Sequence, residues 1–447
     1  MRYNPKTVSP AKRLLIEAAR TITSRERLKG IFRVSLYRNA TYLILNSAVN
    51  AVAGFVFWII AARLYSASDV GIGSALISMA LLLSIIGTLG LDLGLIRFIS
   101  TAKDKARLLN STMTISVLTS IIIAFIFIAG IPLWSPELTF VREGPAFLAA
   151  FIILIVLANI DRFTQHIFIG FRRGGFVLSR GVILSVLKIA MVAALAFVFK
   201  SFGIPGSWLV AMAAVILVSI FLFIPKSLPG YRPVPSLQKQ VTGEMMHFSL
   251  ANYAATVLQN ASSGILPLMV VSILGAQESA YFYIPWAITT ALLAVPTGTS
   301  FALFAEGSHD EGKLGAYLVR TIGLTALIII PILLILFLLG DKLLLLFGGE
   351  YSTAGTHLLW VLAAAIVPAT FNLLYLGKIR VQKKLKEIIA ITAAMNLGTL
   401  LLSYFLMPHM GIIGVGAGWL ASQAIVAIVL IFRAVRKRSP SHELKQV

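Results

Sequence analysis

The chain has 447 residues, 58% hydrophobic and only 12% charged, with a mean hydropathy of +0.91, a formal net charge of +21 and no cysteine. Soluble domains average about 25% charged residues, so this composition excludes an ordinary soluble protein and points to a polytopic α-helical membrane protein. The lack of cysteine excludes disulfides, thiol catalysis and cysteine metal sites, and the ~10-residue alternating segments of a β-barrel are missing.

Residues 1–39 are basic and polar, without the short apolar region and small-residue cleavage site of a signal peptide. Pro10 to Arg38 mixes apolar and basic residues in the manner of an amphipathic helix on anionic lipid; a loosely ordered positive tail that only sets topology is the alternative. Twelve apolar runs follow, over 40–62, 72–96, 113–133, 144–163, 181–199, 204–224, 247–273, 280–303, 318–340, 356–376, 387–407 and 411–432. Each approaches the ~20 residues needed to cross a bilayer. Of the 38 Lys and Arg, 33 fall on one side of this arrangement and 4 on the other, with Lys188 inside the fifth span. Cytoplasmic loops carry the basic excess. Both termini are therefore expected in the cytoplasm of the plasma membrane, and the +21 is an orientation signal rather than a nucleic-acid footprint.

The chain is also internally repeated. Leu64-Tyr65-Ser66-Ala67-Ser68-Asp69-Val70 aligns with Ile273-Leu274-Gly275-Ala276-Gln277-Glu278-Ser279, 209 positions later, and in that register Asn50 falls on Gln259. Near the end of each half, Gly203-Ile204-Pro205-Gly206 aligns with Gly411-Ile412-Ile413-Gly414 at an offset of 208, which pairs Lys188 with Asn396 and Arg172 with Arg380. Six spans is an even number, so both halves enter the membrane in the same direction, the arrangement of parallel-repeat transporters. The expected fold is twelve transmembrane helices in two parallel six-helix bundles. Its parts are a basic segment 1–39, bundles 40–224 and 247–432, a proline-rich linker 225–246 and a tail 433–447.

Three segments resemble the polysaccharide-biosynthesis transport proteins, the lipid-linked oligosaccharide flippases of the multidrug/oligosaccharidyl-lipid/polysaccharide exporter superfamily. They are Ala62-Arg63-Leu64-Tyr65-Ser66-Ala67-Ser68-Asp69-Val70-Gly71, Gly90-Leu91-Asp92-Leu93-Gly94-Leu95-Ile96-Arg97-Phe98, and the stretch from Leu376 through Pro408-His409-Met410-Gly411 to Ala417. The resemblance implies two lobes that alternate between inward- and outward-open states around a central cavity. It also implies a polyprenyl-linked saccharide as substrate, with glycan-assembly enzymes and anionic lipid as partners.

Ionisable groups at membrane depth cost roughly 2.5–3.5 kcal/mol each and default to a functional hypothesis. Lys188 lies on one face with Gly181 and Ser185 and is expected to meet a lipid pyrophosphate; snorkelling of its long stem is the alternative. Asp92 is the candidate for coupling to Na⁺ or H⁺, or else a partner for Arg97 or a neighbouring helix. Arg97 and Arg162 stand where an inward-open mouth would meet a headgroup. Arg63, on the side where basic residues are scarce, is the candidate gate, pairing with Asp69 or Glu278. Asn46, Asn50, Gln259 and Asn260 are the polar residues expected to line a sugar-binding cavity, or else to bond between helices. Pro267, Pro285, Pro296, Pro331 and Pro368 suit helices that bend.

No catalytic constellation is evident: the six histidines are scattered and no phosphate-cradling loop occurs. No metal and no cofactor is expected beyond the coupling ion. The expected function is a flippase for lipid-linked oligosaccharide or polysaccharide repeat units. Its rivals are a cation- or proton-coupled multidrug exporter, which would need a buried carboxylate in the first or seventh span, and a membrane glycosyltransferase or polymerase, which would need a sizeable exterior loop.

Overall fold

A computed structural model of the chain describes residues 35–199, 202–237 and 239–436. Nearly all of the basic segment 1–39, including most of its expected amphipathic helix, and most of the tail 433–447 lie outside the described residues. Twelve segments are long and apolar enough to span a membrane, matching the twelve apolar runs one for one.

The first half comprises α1 (Ser35–Leu64), α2 (Ala67–Gly87), α3 (Leu91–Phe98), α4 (Lys105–Trp134), α5 (Pro145–Gly170), α6 (Gly174–Leu195) and α7 (Gly203–Val218). The second comprises α8 (Lys239–Leu274), α9 (Ala276–Leu292), α10 (Ala294–His309), α11 (Leu314–Leu345), α12 (Gly349–Val381), α13 (Leu385–Met410) and α14 (Ile412–Arg436). The halves pack alike. α1 lies on α6 as α8 lies on α13, and α5 touches α2, α4 and α7 as α12 touches the α9–α10 pair, α11 and α14. Below, the basic side is the side of the described termini, and the far side is the other.

Two spans that read as continuous apolar runs in the sequence are broken. The second breaks at Leu89 (φ 50°) and Gly90 (φ 76°), between α2 and α3. Glycine is needed there for two reasons. It supplies the left-handed backbone at little steric cost, and a methyl group in its place would stand 2.9 Å from Tyr253 Cβ of α8. The eighth span breaks at Leu293, between α9 and α10. Pro296 has no N–H to give the Leu292 carbonyl four residues back, and its ring crowds that carbonyl.

The proline-rich linker is structured at both ends. Helix continues past α7 through a π turn, Ser219–Phe223, into Ile224–Ser227, so Pro225 sits inside helical structure; the wider turn accommodates the missing N–H. α8 begins at Lys239. Between them the chain is strapped to α4: the Tyr231 hydroxyl donates to Asn110 Oδ1 at 2.8 Å, Asn110 Nδ2 donates to the Arg232 carbonyl at 2.9 Å, and Ser111 and Ser236 share a 2.9 Å hydrogen bond.

The repeat is visible in the turns as well. Arg172 (φ 56°) and Lys383 (φ 55°) both stand in the left-handed region after α5 and α12. Each is followed by an N–H that reaches back six residues' span, Arg173 to the Phe168 carbonyl (2.8 Å) and Lys384 to the Ile379 carbonyl (3.2 Å), which closes the helix end. The structural partner of Arg172 is thus Lys383 rather than Arg380. The second half carries three more residues here, close to one helical turn.

The seam between the halves is α2. Its run of Gly71, Gly73, Ser74, Ala75, Ser78 and Ala80 is buried, and it packs against α8 and α9. Small residues let membrane helices approach closely, and at Gly71 the approach is extreme: a methyl group there would collide with the Ala276 carbonyl of α9.

Candidate functional site

A chamber of about 600 Å³ lies between the halves, walled by α1 and α2 on one side and α8 and α9 on the other. Phe55, Trp58, Leu81, Leu82, Ile85, Tyr283 and Phe347 make most of the wall; Asn50, Ser78, Asn260, Ser263 and Thr290 are its polar members. The chamber is partly open rather than enclosed.

Toward the far side it is closed by contacts that cross from one half to the other. The rings of Phe55 and Phe347 meet edge to face at 5.3 Å, and those of Trp58 and Tyr283 lie 4.6 Å apart. Beyond them Arg63 donates to the carbonyls of Leu346 (Nε, 2.9 Å) and Leu345 (Nη2, 2.7 Å) at the end of α11. The last four carbonyls of a helix lack intrahelical donors, and a cation there also meets the negative end of the helix dipole. The expected carboxylate partners are not used; Asp69 is engaged by Ser66, which caps α2. Next to Arg63, Tyr65 donates to the Val192 carbonyl at 2.8 Å. Burial, and secondly the charge of Asp69, pushes its phenol up to about 12.

The asparagines fall into matched places. Asn50 Nδ2 donates to the Asn46 carbonyl and Asn260 Nδ2 to the Thr256 carbonyl, both at 2.8 Å and both one turn back along the helix. Asn260, not Gln259, is therefore the counterpart of Asn50, and these two line the chamber from opposite halves. Asn46 is buried behind Asn50, packed against Gly181, and its Oδ1 has no hydrogen-bond partner. Gln259 lines a neighbouring polar cavity in the second half.

The charged candidates are placed differently. Lys188 is 6% exposed, with Nζ 4.8 Å from the Trp208 ring centre and 5.7 Å from that of Phe57; it lies outside the set of chamber-lining residues. Asp92 is 1% exposed, accepts from Arg162 Nε at 2.7 Å and stands 3.8 Å from His166 Nε2. It is thus held by a neighbouring helix, α5. Arg97 is exposed at the end of α3, near the Phe98 ring. Among the described residues no Lys, Arg, Asp or Glu lines the central chamber. Lys188, expected to meet a pyrophosphate, thus lies outside a chamber whose wall is mostly apolar, with an amide on each side.

Two further charged groups are not among the candidates that the sequence suggests. Asp161 is ion-paired and hydrogen-bonded to the buried Arg180; a lone aspartate in the apolar run Ala158-Asn159-Ile160-Asp161 was the available signal. Arg380 lines the polar cavity of the second half; its alignment with a basic residue of the first half was the only hint.

A bundle of twelve spans in two like-packed lobes, with a chamber at their seam closed on one side, is the architecture of a membrane transporter. The chain belongs to the polysaccharide biosynthesis protein family, whose sequence profile matches residues 36–304. Among solved structures it is similar to a lipid II flippase, MurJ, in an inward closed conformation, with a TM-score of 0.71, 14% identity, 88% of this chain and 87% of that one covered. It is similar also to an inward-facing multidrug resistance MATE family transporter of the MOP superfamily (TM-score 0.66, 15% identity, 89% of this chain and 99% of that one). A third is a MOP superfamily transporter from Pyrococcus furiosus described as having a binding pocket of reverse polarity (TM-score 0.54, 17% identity, 91% and 95% covered). Among curated proteins none matches the sequence. The protein is a multi-pass membrane protein of this family, with the fold of these transporters.

Proposed function

We propose that the protein carries lipid-linked oligosaccharide or polysaccharide repeat units from the cytoplasmic to the outer leaflet of the plasma membrane, by alternating access and without a catalytic step. Both termini then lie in the cytoplasm, and the far side is the outer face. The single observation that carries this reading is the seam chamber, partly open yet sealed toward the far side by Phe55–Phe347, Trp58–Tyr283 and Arg63. Its apolar wall suits a polyprenyl chain, and Asn50 and Asn260 offer amides to the sugar. The drug-exporter alternative needs a carboxylate in the chamber to attract a cation, and none lines it among the described residues. Coupling to Na⁺ or H⁺ is part of the proposal; the basic side would attract anionic lipid by roughly 1 kcal/mol per residue near the surface.

Deletion in the native host tests this. The expected result is loss of surface polysaccharide with build-up of the lipid-linked intermediate facing the cytoplasm, rescued by the wild-type gene. Rescue should weaken with Asn50→Leu or Asn260→Leu, and with Lys188→Ala, which opens a hole beside the rings of Phe57 and Trp208. An unchanged glycan coat in the deletion strain would overturn the reading.

A further inference from the structure

Beside the central chamber, and sharing Asn260, Ser263, Trp286 and Thr290 with it, lies a second cavity of about 370 Å³ within the C-terminal half. Its wall holds Arg380 from the basic end of α12, with Gln259, Asn396, Gln423 and the ring of Trp419. Arg380 is partly buried, its guanidinium carbon 5.0 Å from the centre of the Phe301 ring. Among the described residues no carboxylate pairs with it, and none lines the cavity. Arg180 and Arg162 of the first half each have a carboxylate partner. A guanidinium held at a span end without one presents a planar fork of donors suited to an oxyanion. Its neighbours are arranged to match. Gln423 takes the Asn372 amide on Oε1 at 3.0 Å, which commits its oxygen and leaves its own N–H groups to donate. Asn396 is fixed by Ser262 at 2.9 Å.

We propose that this cavity is an oxyanion subsite for the substrate's headgroup, in which Arg380 takes the anion and Gln259 and Gln423 bond the adjoining hydroxyls. It rests on the flippase reading and narrows it to substrates with an anionic group close to the sugar. That group has two sources, the diphosphate of the carrier lipid or the carboxylate of an acidic sugar.

The test uses the full-length protein in lipid nanodiscs, followed by tryptophan fluorescence, since Trp286 and Trp419 line the cavity. The probes are farnesyl diphosphate against farnesol, and a glucuronic-acid disaccharide against its neutral counterpart. At least one acidic probe should bind about tenfold or more tighter than its neutral partner, and the arm that responds identifies the source of the anion. Arg380→Gln should weaken that arm about 10- to 100-fold, the worth of hydrogen bonds to a charged group, and leave the neutral probe unchanged. If that variant does not fold, Arg380→Lys, which keeps the charge and loses the fork, should weaken the acidic probe alone. Equal binding of acidic and neutral probes, or wild-type binding by the Arg380 variants, overturns the subsite. The two readings fail separately. A deletion defect fully rescued by Arg380→Gln removes the subsite and keeps the flippase, whereas a deletion strain with a normal coat removes the flippase whatever the binding shows.

Discussion

Arg63, in the last turn of α1, donates through Nε to the backbone carbonyl of Leu346, 2.9 Å away and 283 residues later in the chain. This bond joins the two halves at the far side, outside the aromatic contacts that close the chamber. Because its acceptors are backbone carbonyls, it depends on where α11 ends rather than on which residue stands there.

The first prediction concerns this latch. Arg63→Gln should shift the population toward a state open on the far side. Hydrogen bonds to charged groups contribute about 1.5–3 kcal/mol when buried, and exposed ion contacts nearer 1 kcal/mol or less. A shift of roughly fivefold in population follows. The chain has no cysteine, so a Phe55→Cys/Phe347→Cys pair can report it directly. Disulfide formation should be slower in the Arg63→Gln background; an unchanged rate would remove Arg63 from the gate.

Gly71 provides the second. No side chain fits between it and the Ala276 carbonyl, so Gly71→Val should wedge α2 from α9 and reduce transport severely, with a lowered Tm. Gly54, which lines the chamber and has nothing within 4 Å of where a methyl would go, is the control: Gly54→Ala should leave the Tm within a degree or two.

Third, Asp92 is ion-paired to Arg162 of α5, and a structural role for the pair predicts a cost in stability when it is broken. Removing one partner of a buried pair leaves an uncompensated charge and costs about 3–5 kcal/mol. Asp92→Asn should therefore lower thermal stability in detergent, while Asp92→Asn combined with Arg162→Met should recover part of it. If Asp92→Asn instead keeps the wild-type Tm and abolishes the ion dependence of transport, Asp92 is a coupling group.

The linker strap gives the fourth prediction. Tyr231→Phe removes the hydroxyl that donates to Asn110 and should cost about 1 kcal/mol, read as a small fall in Tm. Burial pushes this phenol up to about 12, above the ordinary value near 10. Its contribution is thus fully present below about pH 10 and lost as pH climbs toward 12, so the difference between wild type and Tyr231→Phe should shrink over that window.

Much of this protein is written locally. Hydropathy and charge are properties of short windows, and a bilayer forces each apolar window of sufficient length into a helix because no water is present to satisfy an exposed backbone. The twelve spans and the shared direction of the two halves were therefore legible in the sequence. So was the glycine at position 90, although not that it would break the second span.

The tertiary structure decided which way each helix turns about its own axis, and that follows from packing against helices hundreds of residues away. Asn50 and Asn260 were turned into one chamber, Gln259 and Arg380 into another, and Lys188 against the rings of Phe57 and Trp208. A polar residue in an apolar run announces that it avoids lipid; only the neighbouring helices settle whether it meets a cavity, an ion partner or a ring.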